Sequence, residues 1–164
     1  MLDRTPVQIA WVTRDLDATE KALTTLLGAK KWVRIPNVHF APDTCTYRGR
    51  PADFTAHISF SYAGDTQLEL IAPERGESVY SEFLDAAGPG LHHVCVEALD
   101  SAAFDTVVRD AQRNGTPVVQ QGVMPGGMRF AYLSVADAGV PYIEIADIPA
   151  EIKAFFDYVK QEQQ

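Results

Sequence analysis

The sequence predicts an α+β fold in which one supersecondary unit occurs twice. Segments with strand and helix periodicity follow one another as strand–helix–strand–strand–strand, and the same order recurs in the second half of the chain. The closing strands also correspond, since Leu-Glu-Leu-Ile at 68–71 matches Ile-Glu-Ile-Ala at 143–146. A chain of 164 residues, 46% of them apolar, is long enough for one well-filled domain. We therefore predict a single domain, 1–164, made of two βαβββ modules at about 6–73 and 91–148.

The first module combines alternating strands with one amphipathic helix. Asp15 or Asp17 caps this helix, because a carboxylate accepts hydrogen bonds from the free N–H groups of the first turn, and Gly28 ends it. Its apolar stripe consists of Leu16, Leu23, Leu26 and Leu27. The strands of the module are predicted at 7–13, 31–35, 54–62 and 66–72. We interpret 36–53, which starts at a proline, as a long irregular loop.

Chain-breaking residues separate the remaining elements. A connector helix at about 77–87 stops at Gly88, and a C-terminal helix at about 149–162 follows the second module. The strands of the second module are predicted at 91–97, 116–121, 128–135 and 141–146. The polar tail at 160–164 is expected to fray.

The composition argues against several classes of partner. The chain has a net charge of -8, and its isoelectric point of about 4.9 indicates an acidic surface that repels nucleic-acid phosphates. No apolar run approaches the roughly 20 residues that cross a bilayer, and the N-terminus has no signal-peptide pattern. Cys45 and Cys95 form neither a disulfide framework nor a CxxC motif. We expect a cytoplasmic protein that binds neither nucleic acid nor membranes.

Equivalent positions of the two repeats carry side chains that can bind a metal. When the first strands of the two halves are aligned, Gln8 falls on His93, and in the last strands Glu69 falls on Glu144. Each glutamate alone is also typical of an alternating strand whose polar side chains face water. The coincidence of equivalent positions in both halves favours the other interpretation, in which all four side chains point into one cavity.

The strand at 91–97 carries two adjacent histidines. Because side chains alternate along a strand, Cys95 is predicted to share the face of His93, and His92 the opposite face. We interpret Cys95 as a small buried thiol.

The chemistry of the four side chains suits a divalent metal ion. Two carboxylates that are buried close together repel each other, whereas a divalent cation balances both charges. An imidazole nitrogen, an amide oxygen and two carboxylate oxygens fit a borderline-to-hard divalent ion. Four protein ligands on a six-coordinate ion leave two positions, which take two neighbouring substrate oxygens when the positions are adjacent. Such an ion acts as a Lewis acid on an enolisable carbonyl, and a nearby glutamate can move a proton.

At these residues the sequence resembles the vicinal oxygen chelate superfamily, the group of glyoxalase I, bleomycin-resistance proteins and extradiol dioxygenases. The resemblance covers roughly 6–148, and the segments that carry it are QIAWVTRDLD at 8–17, GDTQLELIAP at 64–73, GLHHVCVE at 90–97 and YIEI at 142–145. Within the superfamily, GDTxLELIxP, SEFL at 81–84 and GxGxHH are most similar to methylmalonyl-CoA epimerase-like proteins.

The resemblance implies a fold, a metal and a set of ligands. Paired βαβββ modules would form a cupped, barrel-like sheet around a divalent ion (Zn, Ni, Co, Mn or Fe) held by Gln8, Glu69, His93 and Glu144. Gln8 departs from the epimerase pattern, which has histidine there, but glyoxalase I of the animal type has glutamine at this place. The ligand set argues against the two-histidine iron site of extradiol dioxygenases. Members of the superfamily commonly dimerise, so a homodimer is implied.

The function that follows is a metal-dependent isomerase, epimerase or lyase. It would act through a chelated enolate on a carbonyl or acyl-thioester small-molecule substrate, with Glu144 as the base and Glu69 as its counterpart from the other half. Glyoxalase I-type isomerisation of a hemithioacetal is one alternative. The other is a non-catalytic binding or resistance protein whose cup holds an aromatic or amphiphilic ligand.

The long predicted loop supplies candidates for substrate binding. Arg48 or Arg50 can hold a carboxylate or a coenzyme A phosphate, and Tyr47 lies beside them. A solvated surface arginine is the alternative for both. His57 follows on the next strand, where cavity lining and solvent exposure are both open.

Overall fold

The structure, a computed structural model, describes residues 5–164, and within that range ten strands form one sheet. The strands are β1 (Pro6–Val12), β2 (Val33–Phe40), β3 (Cys45–Tyr47), β4 (Arg50–Pro51), β5 (Phe54–Ala63), β6 (Thr66–Arg75), β7 (Gly90–Glu97), β8 (Val118–Val123), β9 (Arg129–Ser134) and β10 (Tyr142–Asp147). The helices are α1 (Leu16–Leu27), α2 (Val79–Ala87), α3 (Ser101–Arg113) and α4 (Ala150–Gln161), with a short 3-10 turn at Ala136–Ala138.

The strand order of the sheet follows the two halves of the chain. It runs β2-β5-β6-β1-β7-β10-β9-β8-β3-β4, and an antiparallel seam between β1 and β7 joins the halves. On each side of the seam the first and last strands of a half lie parallel, β1 beside β6 and β7 beside β10. The predicted α+β fold with a cupped, barrel-like sheet is confirmed. The exact division into two modules stays a prediction.

The segment 36–53 is not the irregular loop that the sequence suggested. β2 continues to Phe40, and β3 and β4 form a hairpin that pairs with β8 of the other half. The register of β2 against β5 shifts between Ile35 and Val38, and Asn37 has a φ of 54°. This bulge accommodates Pro36, which has no backbone N–H to donate to the neighbouring strand. It also interrupts the period-two alternation from which strands are predicted. The segment thereby connects the two edges of the sheet.

The first helix has the predicted ends but not a buried face. Asp15 accepts from the N–H of Ala18, and Gly28 closes the helix with a φ of 76°. None of its residues is buried, and Leu26 and Leu27 are 76% and 46% exposed. The stripe has helical spacing, but its contact with the sheet is mainly with one strand, β6.

Two other helices, α2 and α4, pack on the main apolar cluster. Val79, Tyr80 and Leu84 of α2 are buried in the main apolar cluster with Phe40 and Phe54. On α4, Phe155 and Phe156 pack their rings against Phe60, with centroids 6.0 and 5.3 Å apart. No helix within residues 5–164 is both long and apolar enough to cross a membrane.

The C-terminal tail is anchored, which contradicts the expected fraying. The side-chain oxygen of Gln163 accepts from the backbone N–H groups of Lys30 and Lys31 at 2.9 and 3.0 Å. Its amide nitrogen donates to the backbone carbonyl oxygen of Lys31 at 2.9 Å. The side chain of Lys31 forms an ion pair with Glu162. A polar tail can thus be ordered by hydrogen bonds to a distant turn, which no local pattern shows.

The contact between β3 and β8 yields a stability prediction. A methyl group on Gly122 would lie 2.6 Å from both the Cys45 sulfur and the carbonyl oxygen of Thr44. Gly122→Ala should therefore lower the free energy of unfolding by about 1–3 kcal/mol, measured by urea unfolding. Gly90→Ala is the matched control, because its methyl group would lie 3.7 Å from the nearest atom, in the Phe83 ring. Equal stability of the two variants would contradict the prediction.

Candidate metal centre

The four side chains that the sequence predicted as ligands lie together inside the sheet. His93 Nε2 is 3.2 Å from Gln8 Oε1, 3.3 Å from Glu69 Oε2 and 3.0 Å from Glu144 Oε2. All four residues are buried. The donor atoms of Glu69, His93 and Glu144 lie within 4.8 Å of one another, which is compact enough for one ion to reach all three. Their roles as ligands stay a prediction.

Strand pairing across the seam produces this convergence. Ala10 on β1 pairs with Glu69 on one side and with His93 on the other. Cys95 on β7 correspondingly pairs with Gln8 and with Glu144. Both residues in the middle, Ala10 and Cys95, are buried and small. They leave room between the strands for the larger polar side chains.

Hydrogen bonds outside the cluster orient Gln8. Its amide nitrogen donates to the side-chain oxygen of Gln67 at 2.6 Å, and the amide nitrogen of Gln67 donates to the Tyr62 hydroxyl at 3.1 Å. The oxygen of Gln8 therefore faces His93 and the glutamates. An outer partner of this kind fixes which atom of a ligand side chain meets a metal.

His92 orients the imidazole ring of His93, and its side chain lies on the face of β7 that strand alternation did not predict. The pairing of β7 with β1 jumps from His93–Ala10 to Leu91–Trp11, so His92 is the extra residue of a bulge and turns inward. His92 Nδ1 lies 2.9 Å from His93 Nδ1, and His92 Nε2 lies 3.3 Å from the carbonyl oxygen of Val79.

These two contacts determine the positions of the imidazole protons. A carbonyl oxygen only accepts, so His92 carries its proton on Nε2 and leaves Nδ1 as an acceptor for the N–H of His93. Burial and the neighbouring His93 hold the pKa of His92 well below its usual range, which keeps it neutral. When His93 is neutral, its Nε2 lone pair is directed at the glutamates and is free to bind a cation.

The charges of the cluster require a cation at this place. Burial alone would lower the pKa of His93, but its hydrogen bonds to Glu144 and Glu69 and the negative charges of these two residues together outweigh burial and raise the pKa to about 9. Burial raises the pKa of Glu69, an effect that His93 opposes and the charge of Glu144 increases. Without a metal, a proton on His93 thus supplies the positive charge. A divalent ion would replace that proton and balance both carboxylates, so the residues fit a metal centre.

Two tyrosines adjoin the cluster and were missed in the sequence. The hydroxyls of Tyr80 and Tyr132 are 2.6 Å apart, and the Tyr132 ring centroid lies 4.9 Å from that of His93. Burial, followed by the charge of Glu144, raises the pKa of both phenols, so they stay neutral. Tyr80 belongs to the connector helix, and no motif marks it as part of a site.

A cavity of about 350 Å³ leads to the cluster at Gln8 and Glu69. Its walls come from β2, β5, the turn at 124–128 and α4, and they are mainly apolar. His93 and Glu144 do not line it, so the cavity reaches the cluster from the side of the first half.

The predicted substrate-binding residues lie elsewhere. Tyr47, Arg48 and Arg50 line a separate polar groove of about 600 Å³ beside α2, where Arg48 and the Tyr47 hydroxyl both bind Glu82. The Nδ1 atom of His57 accepts from the N–H of Asn37 at 3.1 Å, and its Nε2 lies 3.3 Å from Glu74. The structure does not bring these four residues to the predicted metal ligands, and their substrate role stays a prediction.

The hydrogen bond from His93 to His92 predicts a loss of metal affinity on substitution. His92→Phe keeps the ring shape but removes the acceptor for the His93 proton, so the Kd for Ni²⁺ should rise about 10–100-fold by isothermal titration calorimetry. His57→Phe is the matched control, because that histidine is bound to Glu74 away from the cluster. An unchanged Kd in His92→Phe would show that His92 does not orient the ligand.

Proton competition predicts a pH dependence of metal binding. His93 has to lose a proton before Nε2 binds an ion, and its pKa in the metal-free protein is raised to about 9. Below that pH, the affinity for Ni²⁺ should rise about tenfold per pH unit, and it should level off above it, as measured with a competing chelator. An affinity that is constant between about pH 7 and 9 would contradict the proton on His93.

Comparisons with known proteins agree with the fold. A sequence profile described as the Glyoxalase/Bleomycin resistance protein/Dioxygenase superfamily matches residues 7–132. No protein of curated function matches the sequence.

Solved structures are similar over nearly the whole chain. Methylmalonyl-CoA epimerase from Mycobacterium tuberculosis has a TM-score of 0.61 at 21% identity, over 94% of this chain and 97% of that one. A hypothetical protein from Bacillus halodurans has a TM-score of 0.60 at 18% identity, over 90% and 96%. A variant of Streptomyces coelicolor methylmalonyl-CoA epimerase in complex with 2-nitronate-propionyl-CoA has a TM-score of 0.56 at 20% identity, over 90% and 100%. At these identities the likeness shows the fold. By its profile match over most of its length, the chain belongs to the glyoxalase/bleomycin resistance protein/dioxygenase superfamily.

Proposed function

We propose that the protein is a divalent-metal-dependent isomerase of the epimerase type that moves a proton beside a carbonyl group. The observation that carries the proposal is the buried convergence of Gln8, Glu69 and Glu144 on one nitrogen of His93, at the end of a cavity. Buried carboxylates with a perturbed neighbour in a cleft are typical of catalytic sites.

The proposed roles follow from the positions of the side chains. A divalent ion held by the four residues would polarise the substrate carbonyl and acidify the neighbouring C–H. Gln8 and His93 are neutral ligands whose orientations are fixed by Gln67 and His92. The two glutamates would move the proton, with Glu144 as the base and Glu69, which borders the cavity, as its counterpart. Glu144 would have to loosen from the ion to accept the proton, and Glu69 would have to take one up from solvent before it delivers one.

Acyl thioesters are the first substrate class in the proposal. Two of the similar structures are epimerases of methylmalonyl-CoA, and one is a complex with 2-nitronate-propionyl-CoA. Gln8 in place of the epimerase histidine supports hemithioacetal isomerisation as an alternative. The mainly apolar cavity supports a non-catalytic binding protein as the second alternative. Metal analysis of the purified protein separates the classes, because only the enzymes require a stoichiometric ion.

The proposed catalytic role of Glu144 has a direct test. Metal-loaded protein is screened against acyl-CoA, hemithioacetal and lactone panels in deuterium oxide. On a substrate that turns over, Glu144→Gln should lower deuterium incorporation about 10²–10⁴-fold, because an amide cannot take up the proton. The variant should keep a measurable metal affinity through Gln8, Glu69 and His93.

Two further variants separate chemistry from metal loss. His93→Ala should lose the metal, whereas Asp65→Asn, on the exposed turn between β5 and β6, should leave deuterium incorporation unchanged. Full exchange in Glu144→Gln would reduce Glu144 to a ligand and transfer the base role to Glu69.

The proposal includes a symmetric homodimer, which superfamily members commonly form. Light scattering that gives a mass near the 18.0 kDa of one chain at micromolar concentration would contradict it.

A further inference from the structure

We infer that the part of the substrate next to its chelating oxygens is apolar, an aromatic or branched aliphatic group without an anionic substituent. The inference rests on the proposed function, because it assumes that the substrate binds the metal centre through two oxygens. It goes further by assigning the cavity beside Gln8 and Glu69 to the non-reacting part of the substrate.

The walls of this cavity are built from large apolar side chains of separate elements. They include Ile58 and Phe60 of β5, Met128 of the turn, and Ile152, Phe155 and Phe156 of α4. The volume of about 350 Å³ lies at the lower end of the range for small-molecule sites, which suits a single ring or a short branched chain. Burial of such a group contributes affinity roughly in proportion to its apolar area.

Positive charge is lacking where a second anionic group would lie. Among the described residues that line the cavity, there is no lysine or arginine. The basic side chain that lines the cavity is His39, whose Nε2 lies 2.7 Å from Asp53 Oδ1. This imidazole therefore already has a carboxylate partner. Arg48 and Arg50 line the separate groove beside α2.

The metal-loaded centre would carry no excess positive charge to pair with a further anion. A divalent ion is balanced by the carboxylates of Glu69 and Glu144, and Gln8 and a metal-bound His93 are neutral ligands. A carboxylate or phosphate placed among the apolar walls would therefore be buried without a counterion, which is strongly unfavourable. The phosphates of a coenzyme A thioester would have to remain outside this cavity.

The wall formed by α4 is held in place before a ligand binds. The rings of Phe155 and Phe156 pack against Phe60, and Gln163 anchors the end of the helix to Lys30 and Lys31. A preformed apolar wall gives affinity without the cost of ordering side chains on binding. Met124 and Met128, which pack in one apolar cluster with Ile152 and Phe156, have flexible side chains that can adapt to the shape of the group.

Hydroxamates test the inference, because they share one bidentate head group and differ only in the substituent. Metal-loaded protein is titrated calorimetrically with acetohydroxamate, benzohydroxamate and 4-carboxybenzohydroxamate. Burial of the ring should make benzohydroxamate bind about 10–100-fold more tightly than acetohydroxamate, and the added carboxylate should remove at least about tenfold of that gain. Equal affinities for the first two, or tightest binding of the carboxylate, would overturn the inference and leave the proposed function standing.

A matched pair of variants on α4 locates the ring. Phe155→Ala should remove most of the preference for benzohydroxamate, whereas Tyr158→Ala, on the same helix but 51% exposed, should keep it. An equal preference in both variants would place the ring outside this cavity and contradict the inference.

A metal-independent measurement separates failure of the inference from failure of the proposed function. The chain has three methionines, and two of them, Met124 and Met128, line the cavity. If none of the three hydroxamates binds the metal-loaded protein, the proposed function fails. In that case, benzyl alcohol is added to metal-free protein labelled with ¹³C at the methionine methyl groups. Shifts of the Met124 and Met128 signals would support an apolar binding site, and unchanged signals would overturn it.

Discussion

The burial of two carboxylates against one imidazole nitrogen is the constraint on which the rest of the site depends. Glu69 and Glu144 approach His93 from strands on opposite sides of the seam, where water cannot solvate their charges. Such a pair is costly unless a cation stands between them. The surrounding structure is consistent with this requirement. Small residues at Ala10 and Cys95 provide the space, and α2 and α4 pack on the main apolar cluster.

The two halves of the chain use different contacts to orient the side chains at equivalent positions. Gln8 and His93 occupy equivalent positions, but Gln8 is fixed by Gln67 from the neighbouring strand β6. His93 is fixed by His92 from its own strand, and this contact exists only because a bulge turns both rings inward. The repeat therefore sets the backbone positions of the four predicted ligands. Local departures from the repeat set which atoms of these side chains face the cluster. Substitutions that preserve the four ligands can still disable the site through these outer contacts.

The sequence was sufficient for the α+β fold and for the strands other than β3 and β4, because alternation acts over short windows. The correspondence of the two halves singled out the four distant side chains that lie together. The sequence failed where a bulge breaks the period. His92 was assigned to the wrong face for this reason, and the extension of β2 past Pro36 was missed for the same one. It also failed where a partner is remote in sequence. Arg48 is paired with Glu82, and Gln163 with Lys30 and Lys31, and neither pairing leaves a local signal.

The pseudo-symmetry of the ligands ends at the cavity. Gln8 and Glu69 border it, whereas His93 and Glu144 are enclosed behind them. The cause lies in the bulge of β2 and in two helices outside the repeat, α2 and α4. The bulged strand β2 and the anchored helix α4 form the wall on the side of the first half, while α2, through the Val79 carbonyl and the buried Tyr80 ring, fills the space beside His92. In the proposed reaction, a substrate in this cavity would therefore lie next to Glu69, with Glu144 behind it. Proton transfer by groups on two sides of a carbon needs one group that starts deprotonated and one that starts protonated, and these roles exchange when the reaction runs in reverse.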